Sequence, residues 1–227
     1  MNNINELQNI DLFQGVSLEN LKLLNSRVVY KKFKSGEKVI GEEEPIREFY
    51  VVISGKLRLY KSSSEGKEQT LFLLGPGDPF GLCTAFATDS FPAYVMAIEA
   101  SSVLTVPGMV IESISLKEPV LLLNIIRKLS ERLKESMTLI ESLSLKEIPG
   151  RLASFLLHHL AKNPSDKTDR LELDITQREL AKILGSTPEA LSRALRKMVN
   201  EGVLAVEDGQ IITILDYRKI EELAEGE

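Results

Sequence analysis

The sequence predicts an α+β chain: an antiparallel β-roll, one long helix, and a C-terminal winged helix-turn-helix. Three features predict it. Six short runs rich in β-branched and aromatic residues lie between Val28 and Ala100 or end at Val106, and glycine-containing turns separate them. From Leu116 to Leu145 glycine is absent and apolar residues recur at steps of three and four. Beyond that, two short helical patterns flank Gly185-Ser186-Thr187, and two strand-like runs meet at Asp208-Gly209. The expected divisions are 1–115 for the roll, 116–146 for the long helix and hinge, and 147–227 for the last domain.

In chain order, residues 4–24 carry short helical patterns anchored by Leu7, Ile10, Leu12, Leu21 and Leu24. The strand runs are VVYKKF, EFYVVI, KLRLY, QTLFLL, AYVMAIEA and SVLTV, with Ser35-Gly36, Gly41, Ser54-Gly55, Gly66 and Gly75-Pro76-Gly77-Asp78 between them. Strands so spaced, with few helices among them, indicate an antiparallel sandwich or roll. The long helix follows, with Pro119 where a first turn tolerates proline. At 1.5 Å per residue it should be roughly 40 Å long. Leu122, Ile126, Leu129, Leu133, Ile140 and Leu143 form a heptad seam interrupted once, at Ser136. A strict repeat of this kind favours a parallel two-fold dimer interface over a stripe lying in the core, which is the plainer alternative.

Glu147-Ile148-Pro149-Gly150 marks the break into the last domain. RLASFLLHHLAK reads as an apolar helix and NPSDKTDR as a polar loop. Thr176 and Glu179 fit a capping box opening the helix QRELAKIL, which stops at Gly185. Thr187 then caps a second helix, PEALSRALRKMVNE, with Pro188 as its first residue and Gly202 at its close. VLAVEDGQIITIL completes the domain as a hairpin.

Composition excludes several classes. With 43% hydrophobic residues in 227, the chain can build a core and is not disordered. A single cysteine, Cys83, excludes a disulfide scaffold, a four-cysteine zinc site and a four-thiolate iron–sulfur cluster within one chain. His158 and His159, adjacent on a helix, point about 100° apart and make a poor metal pair. The opening MNNINELQNI is unlike a signal peptide, and no apolar run approaches the roughly 20 residues of a membrane span, so a soluble cytoplasmic protein without a membrane partner is expected. No nucleophile–base set, metal-ligand cluster or phosphate-binding glycine loop is present, so the chain is not expected to be an enzyme.

Charge points to DNA. The chain as a whole is −5, yet residues 176–200 hold five basic residues against two acidic ones, or +3. Glu189 and Arg193 lie one turn apart near the start of the second helix, the end that enters a major groove. Arginine can donate twice to guanine O6 and N7, and glutamate can accept from cytosine N4. Ser192 and Arg196 are placed to hold phosphates, and Thr176, Arg178 and Thr187 complete the expected DNA-facing set. The plainer reading of Glu189 and Arg193 is a surface ion pair at i,i+4.

The order of roll, long helix and winged helix resembles the bacterial cyclic-AMP receptor / fumarate-nitrate regulator family of transcription factors. The resemblance covers nearly the whole chain. Its most specific parts are Ser54-Gly55-Lys56, Gly75-x-Gly77-Asp78 and Phe80-Gly81 in a cyclic-nucleotide-binding-like roll, and Thr187-x-Glu189-x-x-Ser192-Arg193 in the reading helix. It implies a homodimer that binds a palindromic double-stranded DNA site, reads G·C pairs with Glu189 and Arg193, and contacts RNA polymerase.

The departures concern the signal. Where cyclic-AMP receptors carry Gly-Glu-Leu and Arg-Ser/Thr-Ala to grip ribose and phosphate, this chain has Gly81-Leu82-Cys83 and Phe91-Pro92-Ala93. No lysine, arginine or histidine occurs from Glu68 to Leu116. A buried cyclic phosphate would lack a counter-charge there, so cyclic AMP is not expected as effector. The fumarate-nitrate regulator's cysteine set is also missing. The expected effector positions are Phe80, Leu82, Cys83, Phe86, Phe91, Tyr94 and Met96, with Leu129 from the long helix and Leu57, Leu59, Leu71 and Leu73 from nearby strands. They read equally as a filled roll interior or as a pocket for an apolar or planar ligand. Family members that sense nitric oxide through haem have similarly apolar cassettes, and the Thr-Pro-Glu start of the reading helix resembles theirs. That likeness implies haem, with Cys83 or Met96 as a soft axial ligand. A different class of function also fits the roll: a regulatory or oligomerising module that does not act through DNA.

Overall fold

The computed structural model describes residues 4–45, 47–86, 90–162, 169–208 and 211–226. It divides into two compact units, residues 1–61 with 71–134, and residues 62–70 with 135–227. The elements up to the long helix are α1 (Ile4–Gln8), α2 (Leu18–Asn25), β1 (Val29–Phe33), β2 (Lys38–Ile40), β3 (Glu48–Ser54), β4 (Leu57–Ser62), β5 (Glu68–Leu74), β6 (Pro79–Phe80), α3 (Leu82–Phe86), β7 (Tyr94–Ala97), β8 (Ser101–Pro107), α4 (Gly108–Ser115) and α5 (Pro119–Leu145). All six expected runs are strands, namely β1, β3, β4, β5, β7 and β8. Strands β2 and β6, three and two residues long, are too short to carry a periodic signal.

The strands form two four-stranded sheets, ordered β1-β8-β3-β6 and β2-β7-β4-β5, with antiparallel pairing. The chain passes between the sheets at Ser54-Gly55-Lys56 and again at Ile98–Ala100, and these two corners are laced together. Ser101 Oγ accepts from Lys56 N at 3.1 Å, and Ile98 N donates to Lys56 O at 2.9 Å. Gly55 has φ +81°, and a β-carbon there would lie 2.4 Å from both Ala100 O and Ser101 Oγ. The left-handed backbone and the close approach both require glycine, which gives the Ser-Gly-Lys motif a physical cause.

Two apolar clusters fill this unit. Ile40, Tyr50, Val52, Leu57, Leu74, Phe80, Phe91, Val95, Ala97 and Val103 pack between the sheets. The other cluster joins the N-terminal helices to β3, β8, α4 and the start of α5 through Leu12, Phe13, Leu21, Phe49, Leu104, Ile111, Leu121 and Ile125. Within it Asn124 is buried, and its Nδ2 donates to Leu12 O at 3.1 Å and Gln14 O at 2.9 Å. Its Oδ1 accepts from Arg127 Nη1 at 2.9 Å. The amide thereby satisfies two backbone carbonyls that no helix or strand would.

The second unit contains the end of α5, then α6 (Ile148–Lys162), β9 (Arg170–Glu172), α7 (Gln177–Ile183), α8 (Pro188–Asn200), β10 (Leu204–Glu207), β11 (Ile211–Ile214) and α9 (Tyr217–Glu225). Strands β10, β11 and β9 form one antiparallel sheet in that order. Asp208 takes φ +49° at the hairpin, while Gly209 and most of the polar loop, 163–168, lie outside the described residues. Thr176 Oγ1 accepts from Glu179 N at 3.2 Å and Thr187 Oγ1 from Ala190 N at 3.2 Å, so both expected caps form. Arg151 donates to Leu143 O, Lys146 O and Leu184 O at 2.8–3.1 Å, satisfying carbonyls left open at the ends of α5 and α7.

Candidate functional site

Helix α8 owes its orientation to a two-faced sequence. Leu191, Ala194, Leu195 and Met198 are buried, the spacing of an inward stripe, which turns the other face out. Thr187, Glu189, Arg193, Arg196 and Lys197 are exposed and Ser192 is half-buried, so the face singled out in the sequence is the outward one. Thr176 and Arg178, at the start of α7, are exposed as well.

The plainer reading of Glu189 and Arg193, a surface ion pair, is not seen among the described residues. The Glu189 carboxyl is instead held below the usual carboxylate range by its own backbone N–H at the helix start, then by Thr187, with the Arg193 charge a smaller cause. Arg196 Nη2 donates to Ser192 Oγ at 3.1 Å, which groups the two phosphate-holding candidates one turn apart.

The local charge needs one correction. Lys182 is not part of the outward basic surface: its Nζ lies 2.7 Å from Glu68 Oε2 and 3.1 Å from Glu179 Oε1. Sequence counting credited it to DNA because one of its partners is more than a hundred residues away. Arg178, Arg193, Arg196 and Lys197 carry the outward positive charge.

The roll residues that read as either a filled interior or a pocket divide among several surfaces. Phe80 and Phe91 sit in the cluster between the sheets, and Phe80 stacks on Tyr50 at 4.9 Å and 11°. Leu82 packs into the other cluster, with Ile111 and Leu121. Cys83 is exposed, as is Phe86 at 43%. Strand alternation puts Val95 and Ala97 inward and therefore Tyr94 and Met96 on the opposite face, where Tyr94 stacks on Tyr60 at 5.3 Å and Met96 Sδ meets Arg58 Nη2 at 3.7 Å. The same alternation puts Leu57, Leu59, Phe72 and Leu74 in the inner cluster and leaves Leu71 and Leu73 out of it. Leu129, on α5, is 48% exposed. Cys83 and Met96, the two alternative axial ligands, belong to different surfaces. Among the described residues no group of three or more metal-ligating side chains exists.

Gly81 lies against the Glu48 carbonyl and the Tyr50 ring. Tyr50 Oη donates to Glu48 Oε2 at 2.9 Å, and burial with this neighbour drives the phenol far above its ordinary range. Cations from outside the 68–116 window are also engaged, among them Lys31, whose Nζ lies 3.7 Å from Glu48 Oε2. Arg58 is buried with its guanidinium 4.0 Å from the Tyr60 ring centre. Arg132 lies over Phe72 at 4.8 Å and pairs with Asp78 at 3.3 Å.

On α5 most of the expected seam is exposed beside the buried Leu121, Asn124 and Ile125, but Leu143 is half-buried against the turn after α7, where a β-carbon on Gly185 would meet its Cδ2 at 2.7 Å. Leu122 and Ile126 are exposed, and Leu133, Met137 and Ile140 are each 64% exposed. Met137 supplies an apolar group beside the position where Ser136 interrupts the seam. None of the described helices is long and apolar enough to cross a membrane.

Residues 30–117 match the cyclic nucleotide-binding domain family, and residues 150–223 match the Crp-like helix-turn-helix domain family. The chain is 30% identical over 197 residues to the fumarate and nitrate reduction regulatory protein of Vibrio cholerae, covering 86% of this chain and 78% of that protein. It is 26% identical over 211 residues to the CRP-like cAMP-activated global transcriptional regulator of Mycobacterium tuberculosis, covering 92% and 94%. Among solved structures it resembles FixK2 from Bradyrhizobium japonicum with a TM-score of 0.75 and 25% identity, over 86% of this chain and 96% of that one. A roll and a winged helix in this order, with this identity over most of both chains, place the chain in the cyclic-AMP receptor / fumarate-nitrate regulator family of DNA-binding transcription regulators.

Proposed function

We propose that the chain acts as a homodimer whose α5 seams pair across a two-fold axis, so that two α8 helices read the halves of a palindromic DNA site and the bound dimer engages RNA polymerase. In this division of labour residues 1–115 sense, 116–146 join the subunits and 147–227 read DNA. The observation that carries the DNA-reading part is the face of α8: four apolar residues inward, with Glu189, Arg193 and Arg196 left outward and unburied. Arg193 is set to donate to guanine, Glu189 to accept from cytosine, and Ser192 with Arg196 to hold phosphate. Helix α5 supports the dimer, since its apolar seam lies uncovered beside a face already buried in its own unit.

The effector is a signal other than cyclic AMP. Leu82 and Phe91 stand where the family's ribose and phosphate grips stand, and both are buried in apolar clusters. The test of DNA reading is binding across a half-site library. Arg193→Ala should lose about 1–3 kcal/mol and its preference at one G·C pair. Wild-type affinity and base preference in that variant would assign the reading to another surface. A wild-type protein that retains no DNA fragment would favour the roll as a regulatory or oligomerising module instead.

A further inference from the structure

Residues 62–70, the tip of the hairpin joining β4 to β5, belong to the same compact unit as the helix-turn-helix. They grip the end of α7. Glu68 Oε2 pairs with Lys182 Nζ at 2.7 Å, and Lys182 also reaches Glu179 on its own helix at 3.1 Å. Gln69 Nε2 donates to Ile183 O at 3.0 Å and to Thr70 O at 2.9 Å. Ile183 is the last residue of α7, where carbonyls have no partner within the helix. Gln69 also lies against the turn: a β-carbon on Gly185 would meet its Oε1 at 2.8 Å. The ionic groups are sheltered, with Lys182 18% and Glu68 24% exposed, so salt screens them less than an open surface pair.

We infer that Glu68 and Gln69 are positioning residues for DNA reading: they fix the end of α7, and through it the turn that aims α8. This rests on the DNA-binding role proposed above. Helix α8 begins three residues after Gly185, so a displacement of Ile183–Gly185 is carried directly to Pro188 and the reading face. The same hairpin tip is continuous with β4 and β5 of the roll. A signal that shifts those strands therefore has a covalent route to the turn. Electrostatics alone makes the opposite forecast for one variant. Removing the negative charge of Glu68 should strengthen attraction to DNA, whereas loosening the turn should weaken binding.

The experiment is a charge swap in the full-length protein. Glu68→Lys, Lys182→Glu, the double variant and Gln69→Ala are titrated, over a range of salt, with DNA that the wild type selects from a random-sequence library. Glu68→Lys and Lys182→Glu should each weaken binding about threefold to fivefold, and the double variant should recover most of that loss. Gln69→Ala should weaken binding without altering charge. The dependence of affinity on salt should stay at the wild-type slope, because none of these groups contacts phosphate. Amide exchange over residues 177–187 should quicken in each single variant and return in the double. Tighter binding by Glu68→Lys, with an additive double variant, would overturn the inference in favour of a simple charge effect. Unchanged amide exchange in all four would overturn it as well. If the wild type selects no DNA, the DNA-reading proposal falls, and the exchange measurement alone decides whether the hairpin holds the turn.

Discussion

Replacing Gly55 by alanine tests the corner that joins the two sheets of the roll. Two costs add there. Holding an L-residue in the left-handed region at φ +81° costs about 1–2 kcal/mol. The new methyl group meets Ala100 O at 2.4 Å and Ser101 Cα at 2.6 Å, backbone atoms that cannot rotate away, and overpacking of this kind costs about 1–3 kcal/mol. A less flexible unfolded chain returns about 0.4–1 kcal/mol. The net loss should be about 2–4 kcal/mol. Gly36→Ala separates the terms, because Gly36 has the same φ of +81° with nothing within 4 Å of its β-carbon position. It carries the conformational cost without the contact and should lose only about 1 kcal/mol. Urea unfolding followed by tyrosine fluorescence is suited to the comparison. The chain has no tryptophan, and four of its five tyrosines (Tyr30, Tyr50, Tyr60 and Tyr94) lie in the roll's unit. Equal losses in the two variants would refute the close approach at the corner.

Other outcomes follow from features described above. Asn124→Leu keeps the volume but strands Leu12 O and Gln14 O, so it should cost about 2–4 kcal/mol in the same unfolding assay. Leu129→Glu with Leu133→Glu should raise the dimer dissociation constant at least about a hundredfold in sedimentation, since like charges would meet across the axis; an unchanged dimer would move the interface elsewhere. Calorimetry with cyclic AMP or cyclic GMP should show no binding near about 1 μM, and an isotherm of that strength would reinstate a cyclic nucleotide as effector.

Much of this was legible in the sequence where one physical signal dominated. β-branched runs located the six longer strands, and Thr176, Thr187 and Pro188 located the starts of α7 and α8 because capping is a local transaction between neighbouring backbone and side-chain atoms. The failures have a common physical origin. The cassette is apolar on both faces, so strand alternation does not distinguish Tyr94 and Met96 from Val95 and Ala97, and residues that read equally as a filled interior or as one pocket are distributed by the fold over several surfaces. Helix α4 gives no boundary signal, because GMVIESIS follows β8 without a polar turn between them. Asn124 is a polar residue in a long helix, with nothing local to mark it as buried. Its partners are carbonyls of the N-terminal segment, which no local pattern reveals. Lys182 is illegible for the same reason: its ammonium is taken up by Glu68, far away in sequence.

Arg151 bears on how this regulator can be recombined with others. Glu147-Ile148-Pro149-Gly150 invites a fusion junction, since proline and glycine mark a change from one helix to the next. Yet the guanidinium just past that junction reaches back to Leu143 O and Lys146 O and forward to Leu184 O. A chimaera spliced at Pro149 would give Arg151 foreign carbonyls on one side, and lysine, lacking the planar fork, could not span all three. The transplantable DNA-reading cassette therefore starts upstream of Leu143, with the last turns of α5 included as part of the graft.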